Sequence, residues 1–230
     1  MSGVEARDRL IIALDRGSRD QILELADQLQ GRVGLLKIGL QAFVSNGPAL
    51  VRELAGGGHR IFLDLKLHDI PTTARHATRE AAALGASMLT VHATGGAAMM
   101  NACAQEAPAD LLLLGVTILT SIDDQALETI GFRAGTSESV RGLARLARGS
   151  GLRGVVAAPA EIALIREELG ADMLIVTPGI RPAGSPADDQ VRVMTPAEAL
   201  REGADYIVIG RPVTSAADPR AALDAILESL

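Results

Sequence analysis

The chain has 230 residues, of which 48% are hydrophobic and only 2% aromatic, and its formal net charge is −6. This length suits a single domain spanning residues 1–230, with a core built from Leu, Ile, Val and Ala. Interspersed charges and scarce aromatic residues argue against binding to nucleic acid. The single cysteine, Cys103, excludes an intrachain disulfide and favours a reducing, cytoplasmic location.

Two segments could in principle direct the chain to a membrane, but neither has the sequence of a secretory signal or a membrane span. The N-terminal MSGVEARDRL carries acids and lacks the long apolar stretch of a secretory signal. Residues 81–105 contain no Asp, Glu, Lys or Arg, but glycines and polar residues interrupt them. A strand between two helices explains this segment better than a membrane span, so we expect no membrane association.

Eight short apolar runs alternate with amphipathic segments along the chain. The predicted strands are LIIALD (10–15), LLKIG (35–39), RIFLDLK (60–66), MLTVHA (88–93), LLLLGVTIL (111–119), GVVAAP (154–159), MLIVTPG (173–179) and YIVIG (206–210). This alternation predicts a parallel sheet, and eight units in this length predict an α/β fold, the (β/α)8 TIM barrel. An open doubly wound sheet is the alternative, but no GxGxxG follows the first strand. The longest interval, about 120–153, should hold an extra loop before its helix.

Polar residues fall where barrel enzymes carry their chemistry. Alternate residues of a strand share a face, so Asp64 and Lys66 should both point into the barrel near its C-terminal mouth. Asp15 ends the first predicted strand, Lys37 lies late in the second and His92 late in the fourth. For His92, a hydrogen-bonded core histidine is as compatible with the sequence as a functional one.

The use of lysine is selective. The chain has 22 Lys and Arg residues, and only Lys37 and Lys66 are lysine. Arginine does not release its proton in proteins, whereas lysine is a compact charge that can. Solvent-reaching charges at strand ends are the plainer explanation, but the distribution favours a proton donor or a point charge.

Asp69 departs from the alternation of Asp64 and Lys66. It precedes Pro71, which should open the next helix. Asp69 therefore either caps that helix or projects away from its own barrel.

Two loops suggest a phosphate site. TPGIRP (177–182) follows the seventh predicted strand and GRP (210–212) follows the eighth, the usual phosphate position in this fold. Arg181 or Arg211 can form paired hydrogen bonds to phosphate oxygens, and glycine lets backbone N–H groups approach an anion. Residues 181–190 suit a closing lid, with an ordinary surface loop as the alternative.

The segment DLKLHDIPTT at 64–73 resembles the signature of the orotidine 5′-monophosphate decarboxylase family. Shorter segments support the resemblance in family order: ALD (13–15), LLKIG (35–39), TVHA (90–93), LTS (119–121), TPGIRP (177–182) and IGRP (209–212). The resemblance implies a barrel that converts orotidine 5′-monophosphate to UMP in pyrimidine biosynthesis, without metal or organic cofactor.

The resemblance also implies residue roles. Lys66 would be the proton donor, flanked by Lys37 and Asp64, and Asp69 would come from the partner subunit of a homodimer with shared active sites. Asp15 and Lys37 would bind the ribose, with the partner's Thr73 nearby, and Thr120 would lie against the pyrimidine. Asp64 and Ile70 would also bind substrate. The residues on the phosphate side would be Arg181, Gln190, Gly210 and Arg211.

Two alternatives remain open. Sugar-phosphate decarboxylases or aldolases of the same superfamily carry DxKxxD but use Mg²⁺ held partly by an acid on strand two, where this chain has Lys37. The other alternative is a non-catalytic barrel that binds a phosphorylated ligand.

Overall fold

The computed structural model describes residues 5–182 and 194–230 of the chain. Eight parallel strands run in chain order around a closed barrel, and the last strand pairs with the first. The strands are β1 (Leu10–Ala13), β2 (Leu35–Gly39), β3 (Ile61–Leu67), β4 (Ala86–His92), β5 (Leu112–Val116), β6 (Gly154–Val156), β7 (Leu174–Thr177) and β8 (Tyr206–Ile209). The predicted TIM barrel is therefore confirmed, and the open sheet is wrong.

Helices follow the strands and cover the outside of the barrel. They are α1 (Arg19–Leu29), α2 (Leu40–Gly56), α3 (Pro71–Ala83), α4 (Gly96–Glu106), α5 (Asp124–Thr129), α6 (Thr136–Gly149), α7 (Ile162–Leu169), α8 (Pro196–Glu202), α9 (Arg211–Thr214) and α10 (Pro219–Glu228). Pro71, Pro196 and Pro219 each occupy the first helical position, where a missing N–H costs no hydrogen bond. The chain kinks within α2 at Gly47, whose φ is +67°, just before Pro48.

The two unusual intervals of the sequence have simple structures. Residues 120–153 hold the short helix α5 in addition to α6, rather than an extended loop alone. Residues 81–105 run from the end of α3 through β4 into α4, as predicted. Across the described ranges 5–182 and 194–230, none of the helices combines the length and apolarity needed to cross a bilayer.

Apolar side chains fill both faces of the sheet. One cluster fills the barrel interior: Ile11, Ala13, Leu35, Phe62, Met88, Leu112, Leu114, Val176 and Val208. A larger cluster packs the strands against the helices. In β3, Phe62 belongs to the interior cluster and Leu63 to the outer one, as the alternation predicted.

The pairing of β3 with β4 is irregular near the C-terminal mouth. Leu63 pairs with Leu89, but the next pair is Leu67 with Val91, so β3 carries two more residues than β4 in this interval. The extra length forms a bulge that contains Lys66, whose φ is +51°. A bulge of this kind redirects the strand beside the barrel mouth, where the polar residues collect.

Candidate active site

Four charged side chains from the first three βα units meet at the C-terminal mouth of the barrel. The Lys37 ammonium lies 3.1 Å from Asp15 Oδ1 and 3.6 Å from Asp64 Oδ2. Lys66 Nζ lies 2.9 Å from both carboxylate oxygens of Asp64. Asp15, Lys37, Asp64 and Lys66 therefore form a continuous row of alternating charges, here called the charged row. Asp15 lies just beyond β1 rather than at its end, but it joins the row.

The middle of the charged row is buried. The side chains of Lys37 and Asp64 are only 11% and 13% exposed. Removing two such ions from water costs several kcal/mol each, and their attraction often only balances that cost. The row is therefore poorly explained as a stabilising device, and buried charges in a cleft favour a functional role.

The Asp64 carboxylate is held in its ionised form. Burial acts to raise the pKa of Asp64, but the charges of Lys37 and Lys66 and hydrogen bonds from Lys66 and Thr90 outweigh it, so the pKa lies below the ordinary value of 3.8. Asp64 is consequently a fixed anion near neutral pH, seated between two amines.

Thr90 connects the two ends of the bulge in β3. Its hydroxyl accepts a hydrogen bond from the Lys66 backbone N–H at 2.8 Å and donates one to Asp64 Oδ1 at 2.9 Å. Thr90 is fully buried on β4. One side chain thus fixes both the unusual backbone of Lys66 and the orientation of the Asp64 carboxylate.

Gly39 leaves room for the charged row. A Cβ at this position would lie 2.8 Å from Asp15 Oδ1 and 2.9 Å from Lys37 Nζ. The φ of Gly39 is −89°, which any residue adopts, so the requirement for glycine here is space rather than backbone conformation.

Two adjoining cavities open above the charged row. The larger, about 610 Å³, is lined by Asp15, Lys37 and Asp64 and by residues that follow β7 and β8. The smaller, about 150 Å³, is lined by Lys66 and Thr120 and by apolar side chains such as Ile118. Both cavities share Lys37, Asp64, Pro178 and Val208, so they form one continuous space.

The predicted phosphate loops line the larger cavity. Arg181, Gly210 and Arg211 all border it, and none of the three borders the smaller cavity. Arg181 is buried, and Arg211 is exposed at the start of the short helix α9. Gln190 and most of the predicted lid, 181–190, lie outside the described residues.

Three predicted site residues do not line either cavity of their own barrel. Asp69, Ile70 and Thr73 are exposed at the start of α3, and neither described cavity includes them. The Asp69 carboxylate accepts a hydrogen bond from the Ile70 N–H at 2.7 Å, and Ile70 itself is the residue that precedes the helix. Asp69 therefore does not cap α3, and it lies on the outer surface of its own barrel.

Two histidines stack beside the bulge. The rings of His68 and His92 lie 5.3 Å apart, centre to centre, with 27° between their planes. Thr94 Oγ1 lies 2.9 Å from His92 Nδ1. Burial lowers the pKa of His92, and electrostatic interactions with His68 and Lys66 lower it further, so its ring is neutral near pH 7. His92 is therefore a hydrogen-bonded and half-buried histidine.

Residues 5–182 and 194–230 contain no group of three His, Cys, Asp or Glu side chains arranged to hold a metal ion. On the second strand, the Lys37 ammonium lies between two carboxylates. A cation of the protein itself thus fills the space between Asp15 and Asp64.

A closed eight-stranded barrel with charged residues and a cavity at its C-terminal mouth is the arrangement of the TIM-barrel enzymes. Within that class, the chain belongs to the orotidine 5'-phosphate decarboxylase / HUMPS family, whose model matches residues 8–226.

Close relatives cover nearly the whole chain. The orotidine 5'-phosphate decarboxylase of Moorella thermoacetica is 49% identical over 235 residues, which cover 98% of this chain and 93% of the relative. That of Nitrosococcus oceani is 49% identical over 224 residues, covering 96% of each. Among solved structures, orotidine 5'-phosphate decarboxylase from Lactobacillus acidophilus superposes with a TM-score of 0.85 at 38% identity, covering 95% of this chain and 97% of the other.

Proposed function

We propose that this chain decarboxylates orotidine 5′-monophosphate to UMP and CO₂ in pyrimidine biosynthesis, without a metal or organic cofactor. The observation that carries the proposal is the charged row on the floor of a two-part cavity. Lys66 borders the small apolar part, and arginines border the large polar part.

The cavity suits a ligand with three chemically different parts. The small cavity, with Thr120 at its side, suits a flat pyrimidine ring beside Lys66. Asp15 and Lys37 offer an acceptor and a donor to ribose hydroxyls in the larger cavity. Arg181, Gly210 and Arg211 supply charge and accessible backbone for the phosphate.

The reaction follows from the position of the Lys66 ammonium. The bond from C6 to the carboxylate breaks, CO₂ leaves, and the electron pair stays on C6, where no adjacent carbonyl spreads the charge. The ammonium of Lys66 stabilises that pair electrostatically and then transfers a proton to C6 to give UMP. Solvent returns the proton to the amine after the product leaves.

The electrostatic effect of one lysine is too small to account for the lowering of the reaction barrier. Two unit charges about 4 Å apart interact by roughly 4 kcal/mol at an effective dielectric constant near 20. Enzymes typically lower barriers by about 8–23 kcal/mol. Binding of the ribose and phosphate must therefore supply much of the remainder by positioning the base against Lys66.

We also propose a homodimer in which each subunit contributes Asp69, Ile70 and Thr73 to the partner's site. These residues are exposed at the mouth end of their own barrel. Leu40 and Val44, at the mouth end of the neighbouring helix α2, are 54% and 80% exposed, and Ile70 is 66% exposed. Exposed apolar side chains grouped at one rim favour burial against another chain.

The single cysteine, Cys103, is buried and unpaired. This agrees with a reducing compartment, and we propose that the protein acts in the cytoplasm.

The test is direct conversion of orotidine 5′-monophosphate by the purified chain, with UMP and CO₂ quantified with and without EDTA. We expect stoichiometric UMP and CO₂ in both conditions. Loss of turnover in EDTA, restored by Mg²⁺, would favour the metal-dependent sugar-phosphate chemistry. Binding of UMP without release of CO₂ from orotidylate would identify a non-catalytic barrel.

A further inference from the structure

The loop that joins β3 to α3, residues 68–70, makes a side-chain contact with its own barrel that has no part in the proposed chemistry. Its three residues are exposed, and Asp69 bonds to the N–H of its own neighbour Ile70. The His68 ring, however, stacks on the ring of His92 at the end of β4.

Two residues that follow β4, Thr94 and Gly95, adjoin the stacked rings. Thr94 holds the His92 ring through Nδ1. Gly95 has no side chain. A Cβ there would collide with the Met99 side chain and lie 3.2 Å from His68 Cδ2, so glycine leaves space for both Met99 and the His68 ring. Because His92 is neutral near pH 7, its ring adds no second positive charge beside Lys66.

We propose that the His68–His92 stack positions the 68–70 loop so that its Asp69 meets Lys66 of the partner subunit. This inference rests on the shared site of the proposed function. The two histidines are positioning residues: neither borders the two cavities above the charged row, and they act through the neighbouring Asp69. Loss of the stack leaves Asp69 on a loop of three exposed residues, and a misplacement of about 1 Å in such a group costs on the order of 10²-fold in rate.

A heterodimer with one intact site separates this role from any effect on the histidine's own barrel. One chain carries Asp69→Ala and keeps Lys66, and a differently tagged chain carries Lys66→Ala and keeps Asp69. Tandem purification on the two tags isolates the mixed dimer, whose single intact site takes Lys66 from the first chain and Asp69 from the second. Each homodimer provides the background rate.

His68→Ala is then placed in one chain at a time. In the chain that supplies Asp69, we expect kcat to fall by about 10- to 100-fold. In the chain that supplies Lys66, we expect kcat to stay within about twofold. His68→Phe, which keeps a stacked ring, should restore activity in the sensitive chain. His76→Ala removes another exposed histidine, on α3, and should have no effect in either chain.

The possible failures are distinguishable. An unmodified mixed dimer no more active than the homodimers would overturn the shared site, and this inference with it. An active mixed dimer in which His68→Ala acts equally from both chains, from the Lys66 chain alone, or from neither would overturn the positioning role while leaving the shared site intact. Failure of His68→Phe to restore activity would overturn the stack as its cause.

Discussion

Lys66 Nζ lies at the same distance, 2.9 Å, from both carboxylate oxygens of Asp64. This contact exists although the Lys66 backbone adopts a φ of +51°, which is unusual for a residue with a side chain. Such a conformation costs on the order of 1–3 kcal/mol and persists only where the surroundings impose it. The bulge in β3 and the hydroxyl of Thr90 impose it here, and the result is an ammonium aimed into the small cavity.

Lys66→Arg should preserve positive charge but remove the proposed proton donor. Arginine does not release its proton in proteins, so we expect kcat for UMP formation to fall by at least about 10²- to 10⁴-fold. The measurement is steady-state formation of UMP, with the thermal unfolding midpoint as a check on folding. The reciprocal exchange Arg52→Lys, at an exposed position on α2, should leave kcat unchanged. Retention of most activity by Lys66→Arg would rule out Lys66 as the acid.

Thr90→Val should show how much the charged row depends on one hydroxyl. Valine keeps the shape but leaves the Lys66 N–H without a partner and removes one of the hydrogen bonds to Asp64, which keeps its contacts with Lys66 and Lys37. We expect a cost of about 1–3 kcal/mol in the free energy of unfolding. We expect kcat to fall, and Thr90→Ser, which keeps the hydroxyl, to recover most of it. Equal loss in both variants would mean that packing, not hydrogen bonding, is the role of Thr90.

Thr90→Val should also shift the pH dependence of kcat/KM in a defined direction. The hydrogen bond from Thr90 helps to lower the pKa of Asp64, so its removal raises that pKa. The acid limb of kcat/KM should therefore move to higher pH in Thr90→Val. Ionised Asp64 stabilises the fold above 3.8, the ordinary Asp value, and this contribution is lost as the pH falls through its lower folded-state pKa. In Thr90→Val this contribution should be smaller, and its loss should be complete at a higher pH, because the folded-state pKa lies closer to the ordinary value.

The sequence was sufficient for the barrel and for the set of charges. Eight apolar runs of strand length, separated by amphipathic segments, leave few topologies, and the closed parallel barrel is one of them. Because lysine is rare in this chain, Lys37 and Lys66 are identifiable as candidate functional residues. Strand alternation predicts that the side chains of Asp64 and Lys66 both point into the barrel. These patterns are local in the sequence, so they can be recognised without knowledge of tertiary contacts.

What the sequence did not predict depends on register between strands. The bulge arises because β3 carries two more residues than β4 between consecutive pairs, and neither strand shows this alone. The sequence does not distinguish Thr90, because a threonine in TVHA is typical of any buried strand. The local pattern also left open whether Asp69 caps α3, a question that the position of Ile70 before the helix answers.

Gly39→Ala should disturb the charged row without unfolding the protein. The backbone tolerates alanine, but its Cβ would press on Asp15 Oδ1 and Lys37 Nζ, so one of these groups must move. We expect kcat/KM to fall by about 10- to 100-fold, as for misplaced groups generally. Gly142→Ala is the matched control, because nothing lies within 4 Å of its Cβ in α6. Similar losses of activity in both variants would contradict the steric explanation.

Arg211→Ala tests the phosphate site at an exposed position, where the substitution spares the core. A hydrogen bond between charged groups contributes about 1.5–3 kcal/mol, so we expect kcat/KM for orotidine 5′-monophosphate to fall by about 10- to 100-fold. The same assay with orotidine, which lacks the phosphate, should show the variant and the unmodified protein as equally slow, because orotidine offers no phosphate to Arg211. Arg52→Ala controls for the loss of a surface arginine. If Arg211→Ala slowed both substrates by the same factor, Arg211 would act on the fold of the β8 loop rather than on the phosphate, and the polar end of the larger cavity would need another occupant.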